Sequence, residues 1–182
     1  MASIVKLWEK YSSVYISGLF GTLWISLVTV LLGTVLGMLV ALLRMSRFRA
    51  ARAAAGAYIE VLRGTPILLQ LYFFWIGLPK IMPFELTDTQ CIVTALVINA
   101  SAYISEIIRA GIGAVDRGQW EAARSIGLSE THVMTRVILP QAVKNILPAL
   151  AGEVVTMVKE SSICSTIGMM DLMWGAKNVA AT

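Results

Sequence analysis

One uncharged stretch constrains this chain more than any other feature: no charged residue occurs between Lys10 and Arg44. An α-helix needs about 20 consecutive apolar residues to cross the hydrocarbon core of a bilayer, and this stretch is longer. It is also longer than the roughly 7–15-residue apolar segment of a signal peptide. We therefore predict a first, tilted transmembrane helix over Val14–Leu43.

Composition supports a membrane protein. Hydrophobic residues make up 57% of the chain and charged residues 14%, whereas a soluble domain has about 25% charged residues. A chain of 182 residues has room for about four to five membrane spans, which excludes a large soluble catalytic domain. The net charge of +4 is too small for a nucleic-acid-binding protein unless the charge is clustered. Two cysteines and one histidine provide neither a disulfide framework nor a metal centre.

Three further apolar segments predict three more spans, so that the chain is an all-α membrane protein with about four transmembrane helices in one domain. A polar segment, residues 109–140, separates the third span from the fourth. Five arginines lie in residues 44–63 and five basic residues in residues 109–144, and the positive-inside rule places both segments in the cytosol. Both termini are then outside. The additional predicted spans are 57–78, 89–108 and 142–158.

Small residues recur at steps of three and four along the first span. Such a stripe allows a second helix to approach closely, which favours association where lipid removes the hydrophobic driving force. Ordinary use of small residues in a membrane helix is the alternative. The stripe consists of Gly18, Thr22, Ser26, Thr29, Gly33, Gly37 and Ala41.

The polar segment predicts two short amphipathic helices. Helix-forming residues occupy Gln119–Ile126, and Gly127 suits the left-handed position that ends many helices. Ser129 is a suitable N-cap for a second helix, whose apolar face would contain Val133, Met134, Val137 and Ile138. A solvated amphipathic loop is the alternative.

Three sequence motifs resemble a known family. Glu121-Ala122-Ala123, followed by Gly127 and then by Val137-Ile138-Leu139-Pro140, resembles the EAA loop of bacterial ABC importer permeases, although isoleucine is commoner where Val137 stands. Residues 63–79 and 103–112 resemble the polar amino-acid subfamily of these permeases.

The resemblance implies a type I ABC importer transmembrane domain in the bacterial inner membrane, with a cytosolic coupling helix and without the family's usual last helix. The implied function is ATP-driven, binding-protein-dependent import of polar amino acids. The implied partners are two copies of a cytosolic ATPase, a second permease subunit (an identical chain or a related one), an external amino-acid-binding protein and membrane lipid. The chain has no Gly-x4-Gly-Lys-Ser/Thr phosphate loop, so we expect no enzyme activity and no bound cofactor here, with ATP and magnesium held by the ATPase.

The resemblance also implies which residues contact the ATPase. Glu121 would pair with a basic residue in a groove of that subunit, Ala122 and Ala123 would permit close approach, and Trp120 and Leu128 would be apolar anchors. The complete predicted coupling set is Trp120, Glu121, Ala122, Ala123, Gly127, Leu128, Leu139 and Pro140.

Charged and polar residues in or beside the spans are candidates for the substrate pathway, because charge inside a membrane faces protein, water or the interface. Glu60 with Arg63, and Glu106 with Arg109, are three residues apart, so internal ion pairs are the alternative. Thr65-Pro66 is typical of an N-cap followed by proline at the first helical position, and it predicts that the second helix restarts after Gly64. The predicted pathway set is Arg63, Thr65, Gln70, Glu106, Glu153, Lys159 and Glu160.

Glu153 and Glu160, seven residues apart, share a helix face, with Lys159 beside Glu160. Such groups can meet the ammonium and carboxylate of an amino acid, although ion pairing at the membrane interface is the alternative. We expect His132 at the surface and Cys91 and Cys164 as free thiols.

Two other functions stay open. One is a truncated, non-transporting permease fragment that still binds its partners. The other is an ion-coupled carrier, against which the EAA loop argues.

Overall fold

The computed structural model describes residues 2–181, and within that range all regular secondary structure is helical. Residues 2–181 contain nine α-helices, together with π-helical turns at Phe73–Gly77 and Val133–Ile138 and a 3-10 segment at Ser161–Ile167. The helices are α1 (Ala2–Arg44), α2 (Arg49–Gly64), α3 (Ile67–Tyr72), α4 (Leu78–Ile81), α5 (Asp88–Gly113), α6 (Arg117–Ser125), α7 (Glu130–His132), α8 (Leu139–Glu160) and α9 (Leu172–Ala180).

The uncharged stretch forms the long helix α1, as predicted. All seven small residues of its stripe, from Gly18 to Ala41, are buried, while large apolar residues on other sides of the helix, such as Leu31 and Leu42, are exposed. The stripe is therefore a packing face, and the prediction is confirmed.

The second predicted span is interrupted rather than continuous. Helix α2 ends at Gly64, and α3 begins at Ile67 with Pro66 at its N-cap position. The restart after Gly64 is confirmed, but Thr65 does not cap α3, because its hydroxyl instead donates a hydrogen bond of 3.0 Å to the carbonyl of Val61. Proline has no N–H to continue the α2 ladder, which explains the break.

Two helical segments within the described range are long and apolar enough to cross a membrane, Leu7–Arg44 and Asp88–Gly113, and the interrupted α2–α4 segment can supply a third. The fourth predicted span, residues 142–158, lies inside α8. Lysines and glutamates occur along α8, and this helix is not among the segments that meet the length and hydropathy requirement. A membrane crossing by α8 therefore stays a prediction.

The chain divides into two compact units. The first contains residues 2–32, Pro66–Val97 and the segment from Val154 onward, and its core includes Ile25, Leu71 and Ile92. The second contains Gly33–Thr65 and Ile98–Glu153. It has one small cluster around Ile59 and a larger one under the polar segment.

Candidate functional site

The predicted coupling segment has a defined start and a defined turn. Asp116 caps α6, because its Oδ1 accepts a 2.7 Å hydrogen bond from the amide of Gly118. The chain turns at Gly127, whose φ of +81° is unfavourable for any residue with a β-carbon. Ser129 then caps α7 by accepting a hydrogen bond from the amide of His132. The predicted turn at Gly127 between two helical segments is confirmed, but the second segment is not a separate short helix, because helical structure continues from Glu130 through the π-helical turn into α8.

The inner side of this segment packs on its own unit. Ala123 is 4% exposed and shares a hydrophobic cluster with Val133, Ile138 and Ala142, which are also buried. Trp120 and Leu128 are partly buried against the same cluster. The small side chain of Ala123 therefore permits close packing within the chain, whereas the prediction had assigned it to contact with a partner.

The outer side of α6 is exposed and carries the carboxylate of Glu121. Glu121 and Ala122 are exposed, and Glu121 forms no ion pair within the described residues. Beside it lies a shallow depression of about 300 Å³, lined by Arg117, Trp120, Glu121 and Arg124. Arg124 is already paired with Glu130 at 2.9 Å, which leaves the Glu121 carboxylate as the available anion on this surface.

The remaining predicted coupling residues lie at the start of α8. Leu139 is 40% exposed and Pro140 is exposed. They therefore stand at the surface beside the buried Ile138, in positions where another protein can contact them.

The structure brings one charged cluster together at the end of α5. Arg109 donates bidentate hydrogen bonds of 2.7–3.1 Å to the Glu106 carboxylate, which confirms that predicted ion pair. Glu60 does not pair with Arg63 in the described chain, so the alternative of an internal ion pair is wrong for these two residues. Arg63 lies instead 4.0 Å from Glu106 and 5.2 Å from the centre of the Tyr103 ring.

The other predicted pathway residues differ in exposure. Gln70 is 6% exposed and Glu153 is 8% exposed. Thr65 and Glu160 are partly buried, and Lys159 is exposed. Within the predicted set, Arg63 and Glu106 meet each other, with 4.0 Å between their charged groups.

Lys159 borders a cavity of about 530 Å³ in the first unit. This volume is within the range of about 300–1,000 Å³ typical of small-molecule sites. Ser161, Ser162 and Asp171 also line the cavity, and sequence reasoning did not select any of them.

Asp171 is fully buried and supports the start of α9. Its Oδ1 accepts a 2.6 Å hydrogen bond from the amide of Trp174, while its Oδ2 has no hydrogen-bond partner within the described residues. Burial raises the pKa of this carboxyl above its usual value, although the amide of Trp174 opposes the shift. An aspartate directly before a helix-forming run is a recognisable N-cap and was available from the sequence.

The histidine and the cysteines lie as predicted. His132 is exposed, with its Nδ1 2.9 Å from the hydroxyl of Ser129. Cys91 and Cys164 are buried free thiols. The described residues contain no group of three or more acidic, histidine or cysteine side chains arranged to hold a metal ion.

Comparison with known proteins places this geometry in a family. Residues 33–181 match the family model described as "Binding-protein-dependent transport system inner membrane component". The chain belongs to this family. The permease is therefore an inner-membrane transport component, and the resemblance expected from its EAA loop is confirmed.

Relatives of this permease are amino-acid transport permeases. It is 43% identical over 166 residues to the arginine transport system permease protein ArtQ of Bacillus subtilis, covering 91% of this chain and 76% of that protein. It is 41% identical over 177 residues to the putative glutamine transport system permease protein GlnP of Rickettsia felis, covering 97% of this chain and 81% of that protein. The alternative of a truncated fragment gains no support from these matches.

Solved structures confirm the fold class. A crystal structure of an amino acid ABC transporter with histidines matches with a TM-score of 0.92 and 45% identity, covering 100% of this chain and 82% of that chain. An inward-facing structure of the MetNI methionine ABC transporter matches with a TM-score of 0.74 at 20% identity, covering 91% of this chain and 80% of that chain. The fold of the permease is thus that of a type I ABC importer transmembrane domain.

Proposed function

We propose that this permease is the membrane-spanning subunit of an ATP-driven, binding-protein-dependent importer of polar amino acids. An external binding protein delivers the amino acid, two permease subunits enclose its path, and two cytosolic ATPase subunits hydrolyse ATP with magnesium. The chain itself transports and does not catalyse. The names of its relatives, which are permeases for arginine and glutamine, support the substrate class.

One observation carries the coupling role: helix α6 presents Glu121, which has no ion pair among the residues that the structure describes, and the small Ala122, while its opposite side is fixed to a hydrophobic cluster. A surface helix fixed in this way can transmit a push to α8, because Val133 and Ile138 of the same cluster lie in the turn that leads into α8. Interface anchors and close approach by small residues are features of tight protein–protein contacts.

Charge reversal at Glu121 tests this role. Glu121→Lys should reduce capture of the ATPase subunit by the membrane-inserted permease and uncouple ATP hydrolysis from uptake, because it places a cation where a basic groove is expected. The measurements are co-purification of the ATPase and uptake in proteoliposomes. Glu85→Lys is the matched control, since Glu85 is also exposed but lies in the α4–α5 connection. Normal ATPase capture and coupled uptake by Glu121→Lys would refute the docking role.

For the substrate pathway, we propose that Lys159 binds the amino-acid carboxylate and that Glu153 and Glu160 attract the ammonium group. The position of Lys159 at a cavity of suitable volume, with two serine hydroxyls, supports its part. The burial of Glu153 and the partial burial of Glu160 support a role inside the protein. Arg63, Thr65, Gln70 and Glu106 remain further members of this proposed pathway.

Neutral substitutions separate transport from docking. Lys159→Gln, Glu153→Gln and Glu160→Gln should each lower amino-acid uptake more than they lower ATPase binding, because they remove a charge without changing side-chain length greatly. Lys80→Gln, an exposed lysine in α4, is the control. If all three variants transport at the wild-type rate, the charges have a structural role and the pathway proposal fails.

A further inference from the structure

The connection between α1 and α2 carries a concentrated positive charge. Four arginines, Arg44, Arg47, Arg49 and Arg52, occur within nine residues, and no acidic residue occurs between Glu9 and Glu60. None of the four forms an ion pair within the described residues. We call residues 44–52 the arginine elbow.

One of these arginines holds the elbow together. Arg44 donates a hydrogen bond of 3.3 Å from its Nη1 to the carbonyl of Arg52. Its guanidinium also lies against Gly56, where a β-carbon would come within 3.0 Å of the same nitrogen. Arg44 thus joins the end of α1 to the first turns of α2, and its role is structural.

The other three arginines point outward. Arg47, Arg49 and Arg52 are exposed, and the guanidinium carbon of Arg47 lies over the Phe48 ring, 5.6 Å from its centre. Their charge is available to a ligand from outside the chain.

Apolar side chains alternate with these arginines. Phe48 is 65% exposed and Met45 is 41% exposed, and the elbow follows directly on Leu42 and Leu43, which are exposed at the end of the membrane-spanning helix. Exposed aromatic and arginine residues at the end of a span are the composition of a membrane-interface anchor. A protein partner would not require this continuity with the lipid-facing end of α1.

We propose that the arginine elbow is a binding site for anionic phospholipid headgroups of the cytosolic leaflet. Arg47, Arg49 and Arg52 bind the phosphate groups, and Phe48 and Met45 lie at the level of the glycerol backbone. Guanidinium groups bind phosphate through paired hydrogen bonds, and clustered basic residues beside a span attract anionic lipid by charge. The site is separate from the coupling surface on α6.

Native mass spectrometry of the full chain in neutral detergent, titrated with phosphatidylglycerol or phosphatidylcholine, tests the proposal. The wild type should bind phosphatidylglycerol more tightly, and added salt should reduce the preference. Each arginine removed should lower the preference by about fivefold, so that Arg47→Gln/Arg49→Gln/Arg52→Gln loses most of it. Replacement of the same three by lysine should retain much of it, because the charge remains.

A control variant tests whether the position of the removed charge matters. Arg117→Gln/Arg136→Gln/Lys144→Gln removes the same charge from exposed positions of the other basic segment. This variant should keep most of the preference. Arg47→Gln alone, in the connection outside both helices, should show the effect even if the triple variant folds poorly. An unchanged preference in the elbow variants, or an equal loss in the control, would overturn the proposal. Loss of ATPase capture without loss of lipid preference would also overturn it and would assign the elbow to a protein interface.

Discussion

Gly18 of α1 lies so close to the backbone of Asp171 that a β-carbon on the glycine would stand 2.8 Å from the Asp171 carbonyl oxygen. The next amide, that of Leu172, donates a hydrogen bond of 3.0 Å to the hydroxyl of Thr22 one helical turn further along α1. The small-residue stripe is thus used to bring the start of α9 against α1 in the first unit.

Substitution of this glycine should destabilise the fold. In Gly18→Ala the new methyl group meets backbone atoms that cannot rotate away, and overpacking of this kind typically costs about 1–3 kcal/mol. Thermal unfolding in detergent micelles measures the effect. Gly64→Ala is the control, because nothing lies within 4 Å of a β-carbon at Gly64. Equal melting temperatures for the two variants would contradict the assigned contact.

The turn at Gly127 should be sensitive to any side chain. At a φ of +81°, Gly127→Ala carries a strain of about 1–2 kcal/mol, which should loosen the α6–α7 turn. Hydrogen exchange of the amides from Ile126 to Leu128 should become faster. Gly113→Ala, which has open space and no positive φ, should leave this exchange unchanged. Unchanged exchange in Gly127→Ala would show that the turn does not depend on glycine.

Asp171 should make stability depend on pH. Burial raises the pKa of its carboxyl in the folded state, so the folded chain holds the proton to a higher pH than the unfolded chain. The contribution of this group therefore becomes less favourable as pH rises through the interval between the unfolded and folded pKa values. Asp171→Asn removes this dependence and keeps the cap, since asparagine is also a good N-cap.

Two variants distinguish the charge of Asp171 from its cap. Asp171→Asn should be at least as stable as the wild type near neutral pH, whereas Asp171→Ala should lose about 1 kcal/mol with the cap to Trp174. Melting temperatures measured across an acid-to-neutral series provide the comparison. A fall in stability for Asp171→Asn as large as that for Asp171→Ala would show that the charge is needed.

The Glu106–Arg109 pair should contribute measurably to stability, whereas Glu60 should not. Glu106→Gln loses bidentate bonds to Arg109 and exposes two arginines, Arg63 and Arg109, to mutual repulsion. Because both guanidinium groups are nearly half exposed, solvent screening limits the expected loss to about 1 kcal/mol. Glu60→Gln, at an exposed glutamate that forms no ion pair with any described residue, is the matched control. The same melting temperature for both variants would contradict this prediction.

Several features of the fold followed from residue patterns alone. The uncharged stretch predicted α1, and the three- and four-residue spacing of its small residues predicted the side of α1 that is buried. Gly127 and Ser129 predicted the turn and the cap in the coupling segment. These patterns act through local helix geometry, because residues three or four apart share a face whatever else the chain contacts.

Other features required contacts between segments far apart in sequence. Arg63 is as close in sequence to Glu60 as Arg109 is to Glu106, but only the second pair forms, because Tyr103 and Glu106 of α5 provide Arg63 with other partners. From the sequence, Ala122 and Ala123 were equally available for contact with a partner. In the structure Ala123 is buried in a hydrophobic cluster with Val133 and Ile138.

The sequence by itself therefore determined the class of protein, the family and the local helices, since these depend on composition, motif and short-range periodicity. Only the tertiary structure decided which side of α6 is available to a partner, which charges neutralise each other and which arginines of the α1–α2 connection face outward. The physical reason is that burial and ion pairing at a given residue depend on which distant segment packs against it, and local periodicity carries no information about that segment.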